Sequence, residues 1–297
     1  MNPTSATSML NRSVLPLLIS AAILGGCRTA ALAPAPGAGH LRGSRNLETL
    51  NSVVWFQTSA ELDALARQAF SIARERLDQA LADPAWSAIP EQKNAKALPP
   101  AIIVDVDETV LDNSAFQGRL LERGVAYDEE IWERWVEEAR AVAVPGAVDL
   151  CRYATERGVI VFYLTNRTTA GEAATRRNLL SEGFPLDERI DVVVTKGEYS
   201  SRVTSDKEER RKWIAARYRV LLLIGDAFGD FAAESATSVA ERRAFGRDYA
   251  SWWGTRWIVI PNPMYGEWER IIFRAAAPRS HEEELEQKYR AIDRALP

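Results

Sequence analysis

Asp105 and Asp107 stand two residues apart in Asp105-Val106-Asp107-Glu108-Thr109, directly after the apolar run Ala101-Ile102-Ile103-Val104. Two carboxylates at this spacing can divide the work of a group transfer. One acts as nucleophile, and the other, in a different environment, as acid and base. Taking both out of water costs free energy, and a bound cation is the commonest compensation. A short β-branched run is the pattern of a buried parallel strand. Its carboxyl end is where open α/β sheets place ligands.

Further polar groups stand at comparable places along the chain. Thr165-Asn166-Arg167 follows the apolar run Val159 to Leu164, and Asp226 follows Arg219 to Gly225, with Asp230 four residues on. Lys207 opens a helical pattern running to Tyr218. Two more apolar runs, Ile190–Val194 and Trp257–Ile260, read as strands. Helices are expected over 58–82, where Thr58 and Glu61 have capping-box spacing, over 128–142, from Pro145-Gly146 to Gly158, and over 169–182. Strands alternating with helices imply a doubly wound, mostly parallel Rossmann-like sheet flanked by helices, preceded by an N-terminal helical extension. In such a sheet the strand ends converge on one crevice, so these distant residues would meet.

The chain has 297 residues and a formal net charge of −4, so no basic surface points to nucleic acid. Its two histidines, His40 and His281, lie outside the expected core, so a phosphohistidine mechanism lacks a candidate there. Cys151 falls among apolar residues of a predicted helix and reads as a buried, inert thiol. Arg12 precedes the apolar run Val14 to Leu24, which is too short to span a bilayer. The run ends in Leu24-Gly25-Gly26-Cys27, which resembles the bacterial lipobox. The expectation is a signal peptide over 1–26, lipidation of Cys27, a flexible tether over 27–46 and a folded domain over 47–297. The protein would then be exported and held to a membrane by its lipid. Arg28 favours the outer membrane over inner-membrane retention.

DVDET, the Thr of LTNR, the Lys of SDKEERR, and GDAFGDF resemble, in order, the four motifs of the haloacid dehalogenase superfamily. More narrowly, VPGAVDL, RRAFG and PNPMYGEWE resemble segments of the class C acid phosphatases, a surface-lipoprotein branch that includes 5′-nucleotidases. The likeness covers about residues 47–273. It implies a Mg²⁺-dependent acid phosphatase acting on small phosphomonoesters, nucleoside 5′-monophosphates among them, through an aspartyl-phosphate intermediate. Asp105 would be the nucleophile, Asp107 the acid and base, and Thr165 and Lys207 the phosphoryl clamp. Asp105 and Asp226 would hold the metal by their side chains and Asp107 by its carbonyl, with Asp230 behind them or bound through water. Lys196, directly after the third apolar run, rivals Lys207.

The resemblance also implies a small helical cap from the insertion at about 113–158. Asn113, Phe116, Trp132, Trp135, Asn166, Arg167 and Tyr265 are the substrate-binding candidates. Ile131, Trp132, Trp135, Val136 and Ala139 also form a helical stripe, the ordinary pattern of a core-facing side. The competing functional reading is a surface-exposed lipoprotein that binds a ligand on a phosphatase fold with little catalysis. The intact motifs, Asp107 above all, count against it.

Overall fold

The computed structural model describes residues 47–292, apart from 91, 94, 202, 234, 235 and 275. The expected signal peptide, Cys27 and the tether lie outside the described residues. In chain order the principal elements are α1 (Leu50–Thr58), α2 (Ala60–Ala82), β1 (Pro100–Val104), β2 (Leu111–Asp112), α3 (Ser114–Arg123) and α4 (Glu129–Glu138). Next come β3 (Val142–Ala143), α5 (Ala147–Glu156), β4 (Ile160–Thr168), α6 (Glu172–Glu182), β5 (Val193–Lys196) and α7 (Glu208–Ala215). The rest are β6 (Arg219–Gly225), α8 (Val239–Asp248), β7 (Trp257–Val259), α9 (Glu267–Arg270) and α10 (His281–Ala291). Among the described residues no helix is long and apolar enough to cross a membrane.

Five strands form one parallel sheet in the order β5-β4-β1-β6-β7. β1 is therefore central, and the chain runs from it to β4 on one side and later to β6 on the other. This reversal of direction opens the crevice at the carboxyl edge. Every residue of β6 is buried, as are the last four of β1, because helices cover both faces. Val104 pairs with Tyr163 on one side and Ile224 on the other. Asp105, Thr165 and Asp226 thus stand within one or two residues of each other's level.

The amphipathic helix α2 buries Ala66, Phe70, Ala73, Leu77 and Ala80. Ser59 caps its start by accepting the Leu62 N–H at 3.2 Å. Removing such a cap costs about 1 kcal/mol. Between β1 and β4 the chain forms α3 and α4 over the crevice, and the antiparallel pair β2–β3 closes their base. Asn178 on α6 fastens this segment: its amide donates to Ala141 O at 2.7 Å and accepts from Ala141 N at 3.1 Å.

Several boundaries differ from the sequence expectation. The helix expected to reach 142 stops at Glu138, because Ala139 turns left-handed (φ 49°) and hands the chain to β3. The third strand begins at Val193, three residues late, with Val192 still giving its carbonyl to Tyr163 N at 2.7 Å. The helix from Lys207 ends at Ala215, where the N–H groups of Arg217 and Tyr218 both fold back onto Ile214 O. Helices α1, α3, α8, α9 and α10 were not expected as such. The last three bury no residue and so carry no apolar stripe to read.

Candidate active site

The site begins where β1 ends. Asp105 N–H still completes the sheet by donating to Ile224 O at 2.8 Å. The chain then turns back on itself, with Val110 and Leu111 N–H groups both on Val106 O. The turn puts Glu108 in the left-handed region (φ 58°), unfavourable for a residue with a side chain. Its buried carboxylate helps offset this by accepting the Asn113 N–H at 2.8 Å. Burial, with Asp107 and Asp226 nearby, holds that carboxylic acid well above its ordinary pKa. Thr109 Oγ1 donates to Asp105 Oδ2 at 3.2 Å, fixing the side chain inside the crevice.

Three carboxylates and one ammonium meet there. Lys207 Nζ bonds Asp105 Oδ1 and, at 2.6 Å, Asp230 Oδ1. Lys207 stands just before α7, with 5% of its surface exposed. Burial alone would lower its pKa, but the attraction of Asp105 and Asp230 outweighs this and raises it. Asp226 adds a third carboxylate, and one oxygen each from Asp105, Asp226 and Asp230 lie within 4.8 Å of one another. Burial pushes Asp105 up to about 7, with Lys207 opposing and Asp230 and Asp107 reinforcing. Asp226 rises well above its ordinary value for the same primary reason, although Asn262 Nδ2 donates to it at 2.8 Å.

With all its acids ionised, this cluster would carry more negative than positive charge in a desolvated place. Its donors are all hard oxygens, so the residues fit a hard divalent cation. Asp230 already uses both oxygens, one on Lys207 and the other accepting Ala227 N–H at 2.9 Å. It sits in the short 3₁₀ turn Phe228–Asp230 and presses on Gly225 so closely that a methyl group there would collide with it.

Asp107 occupies a different environment. Arg167 donates from Nη2 at 2.8 Å and Nε at 3.0 Å to Asp107 Oδ1, and Asn113 Nδ2 adds a third bond at 2.9 Å. Thr165 Oγ1 lies 3.4 Å from the other oxygen. Arg167 is 2% exposed, and Asn113 Oδ1 in turn receives Trp135 Nε1 at 2.8 Å. The structure therefore brings Asp107, Asn113, Thr165, Arg167 and Trp135 into one network.

Among the aromatic candidates, Phe116 meets Trp132 edge-on at 5.0 Å and Trp135 at 6.2 Å. Phe116 and Trp135 are buried, while Trp132 is half-buried and faces Arg167 at 5.7 Å. Tyr265 stands apart, packed on the cluster of Val53, Phe56, Leu62, Leu121 and Met264. Lys196 ends β5, two strands from β1, about 10 Å away across the sheet. Lys207, not Lys196, touches Asp105.

Sequence reading missed three polar neighbours. Asn262, in the PNPMYGEWE segment, bonds Asp226. Exposed Tyr127 packs edge-on against Phe116 at 6.4 Å. Arg210 on α7 reaches Thr165 and Asn166. Cys151 is free and buried, and burial pushes its thiol up to about 12.

Residues 43–268, which include every element of this site, match the family described as HAD superfamily, subfamily IIIB (acid phosphatase). The chain belongs to this family. Among solved structures, this HAD IIIB chain is similar to the class C acid phosphatase of Bacillus anthracis. The TM-score is 0.73 at 29% identity, covering 84% of this chain and 98% of that one. The same Bacillus anthracis enzyme with tungstate bound gives a TM-score of 0.72 at 30% identity, over 83% and 97% of the two chains. Acid phosphatase 1 of Solanum lycopersicum is 26% identical over 164 residues, 55% of this chain and 57% of the tomato protein. The stem 28 kDa glycoprotein of Glycine max is 23% identical over 164 residues, covering 55% and 58%. The chain thus spans less than three-fifths of the length of these two curated relatives.

Proposed function

We propose that this HAD IIIB protein is a Mg²⁺-dependent phosphomonoesterase that works through a phosphorylated Asp105. The observation that carries the proposal is the Lys207–Asp105 contact beside Asp226 and Asp230 at the end of the central strand. A phosphoryl group is anionic, and attack on it by a carboxylate is repulsive until charge is neutralised nearby. Asp105 and Asp226, with the Asp107 carbonyl, would hold Mg²⁺, which supplies that neutralisation when bound. Asp230 supports it from behind through Lys207.

Asp105 attacks phosphorus: an oxygen–phosphorus bond forms and the bond to the ester oxygen breaks. Asp107 gives its proton to the departing oxygen, then takes one from the water that attacks the aspartyl phosphate. That second attack breaks the Asp105–phosphorus bond and releases inorganic phosphate. Arg167 and Asn113 hold Asp107 in place through both steps. Thr165 Oγ1 and Lys207 Nζ stabilise the phosphoryl oxygens. Tungstate is a tetrahedral oxyanion like phosphate, and its binding to the Bacillus anthracis relative supports an equivalent pocket here.

Small esters fit a crevice covered by α3 and α4. Trp132 and Tyr127 offer aromatic surface to the leaving group, which favours nucleoside 5′-monophosphates among the substrates. The test is a steady-state panel of p-nitrophenyl phosphate, nucleoside 5′-monophosphates and sugar phosphates, with Mg²⁺ or with EDTA. Turnover that EDTA abolishes and Mg²⁺ restores is expected. A chain that hydrolyses none of these esters with Mg²⁺ is a binder on a phosphatase fold.

A further inference from the structure

Helix α7 delivers a second buried cation whose surroundings differ from those of Lys207. Arg210 is fully buried. Its Nη1 donates to Thr165 O at 2.6 Å, and its Nη2 to Asn166 Oδ1 at 2.6 Å and Asp206 O at 3.3 Å. Its Nε has no partner. Among the described residues no carboxylate lies within ion-pair distance of it. Burial lowers its pKa to about 10, which leaves it charged at neutral pH. A buried guanidinium with neutral partners only is costly, and a neutral side chain would pack there at less expense.

What Arg210 grips explains the cost. In β4, Tyr163 N–H points toward β5, where it donates to Val192 O. The β4–β5 pairing turns irregular after Leu164, and Thr165 O leaves the ladder on that same side, where Arg210 takes the place of a β5 N–H. The Thr165–Asn166 peptide is planar and trans, so its N–H points the opposite way, toward β1. β1 has ended at Val104, and the space beyond it belongs to Asp105 and Asp107. Holding the Thr165 carbonyl therefore aims the Asn166 N–H into the phosphoryl crevice. The Asn166 side chain is fixed from both sides, by Arg210 on Oδ1 and through Nδ2 on Ser205 O at 2.9 Å.

We infer that Arg210 is a positioning residue for phosphoryl binding: it orients the Thr165–Asn166 peptide so that the Asn166 amide joins Thr165 Oγ1 in clamping the oxyanion. It also places a positive charge, in contact with no carboxylate among the described residues, behind that clamp. The inference rests on the phosphatase reading. It makes Arg210 act on the oxyanion and not on the cation, which separates it from a residue that merely stabilises the fold.

The test uses the full chain and its Arg210→Gln and Arg210→Lys variants. Tungstate and inorganic phosphate affinities are measured by calorimetry and by inhibition, Mg²⁺ half-activation and KM against kcat in parallel, and folding by thermal melt. Arg210→Gln should weaken oxyanion binding about tenfold or more and raise KM, with Mg²⁺ half-activation unmoved. Lysine can reach one acceptor but not form the fork, so Arg210→Lys should fall between the two. If Arg210→Gln fails to fold, Arg210→Lys decides by the same measurements. Folded variants that bind tungstate as tightly as the wild type overturn the inference, as does a parallel shift in Mg²⁺ dependence. A wild-type chain that neither hydrolyses esters nor binds tungstate sinks the phosphatase reading itself, a distinguishable outcome.

Discussion

The two sides of the DVDET turn solve opposite electrostatic problems. Around Asp105, three carboxylates share one ammonium, and burial holds Asp105 and Asp226 above their ordinary pKa values. Around Asp107, one carboxylate receives a charged guanidinium and an amide, with a hydroxyl close by. The first region has three carboxylates for one ammonium, and its oxygens could hold a cation. The second is complete within the chain. Residues two apart in sequence acquire different chemistry because β1 ends at Val104 and the chain turns back at Val106, which leaves Asp105 beside Lys207 and carries Asp107 to Arg167 and Asn113.

The largest effect expected from breaking this contrast is at Lys207. Among the described residues Lys207 is the one ammonium in the carboxylate cluster, and it is the proposed donor to the phosphoryl group, so Lys207→Met should lower kcat about 10²–10³-fold. Steady-state kinetics at saturating Mg²⁺ check this, and a loss below tenfold would mean the lysine is structural.

Next comes the matched side. Arg167→Met leaves Asp107 with Asn113 and Thr165 only, and kcat should drop about 10–100-fold, less than loss of the acid itself would cost. The Mg²⁺ requirement should stay where it was. An Arg167 variant whose Mg²⁺ dependence shifts more than its kcat would contradict the division between the regions.

The smallest effect is on stability without metal. Burial raises Asp105 to about 7 in the folded chain, against 3.8 ordinarily, so the folded state holds the proton more tightly than the unfolded one. This contribution is fully present below the unfolded value and is lost as pH rises through about 7. Metal-free Asp105→Asn lacks this titration, so its melting temperature should gain on the wild type between about pH 4 and pH 8. Mg²⁺ should narrow the gap by stabilising the wild type. A pH-independent difference would remove the excess-charge description of the cluster.

Much of this arrangement was legible beforehand. Asp105, Thr165 and Asp226 each follow an apolar run, and parallel strands bring such ends together whatever their distance in sequence. Lys207 was legible as a motif, and the structure puts it, not Lys196 on the edge strand β5, in contact with Asp105. Arg210 was not legible: within Glu208-Glu209-Arg210-Arg211 it looks like one charge of a solvated helix start, and only its hydrogen bonds to Thr165 and Asn166 in β4 reveal its burial. The aromatic candidates split for a related reason. Phe116 and Trp135 form the cap's own core, and Tyr265 packs beneath α1 and α3, because residue type alone does not say which side of a helix faces the crevice.

The most direct test of the central claim is to locate the transferred phosphoryl group. Acid quenching of the Mg²⁺-loaded chain during turnover, followed by mass spectrometry of its peptides, should find one phosphoryl group on Asp105, and none in Asp105→Asn. Turnover without a labelled peptide, or with the label on another residue, would contradict the account.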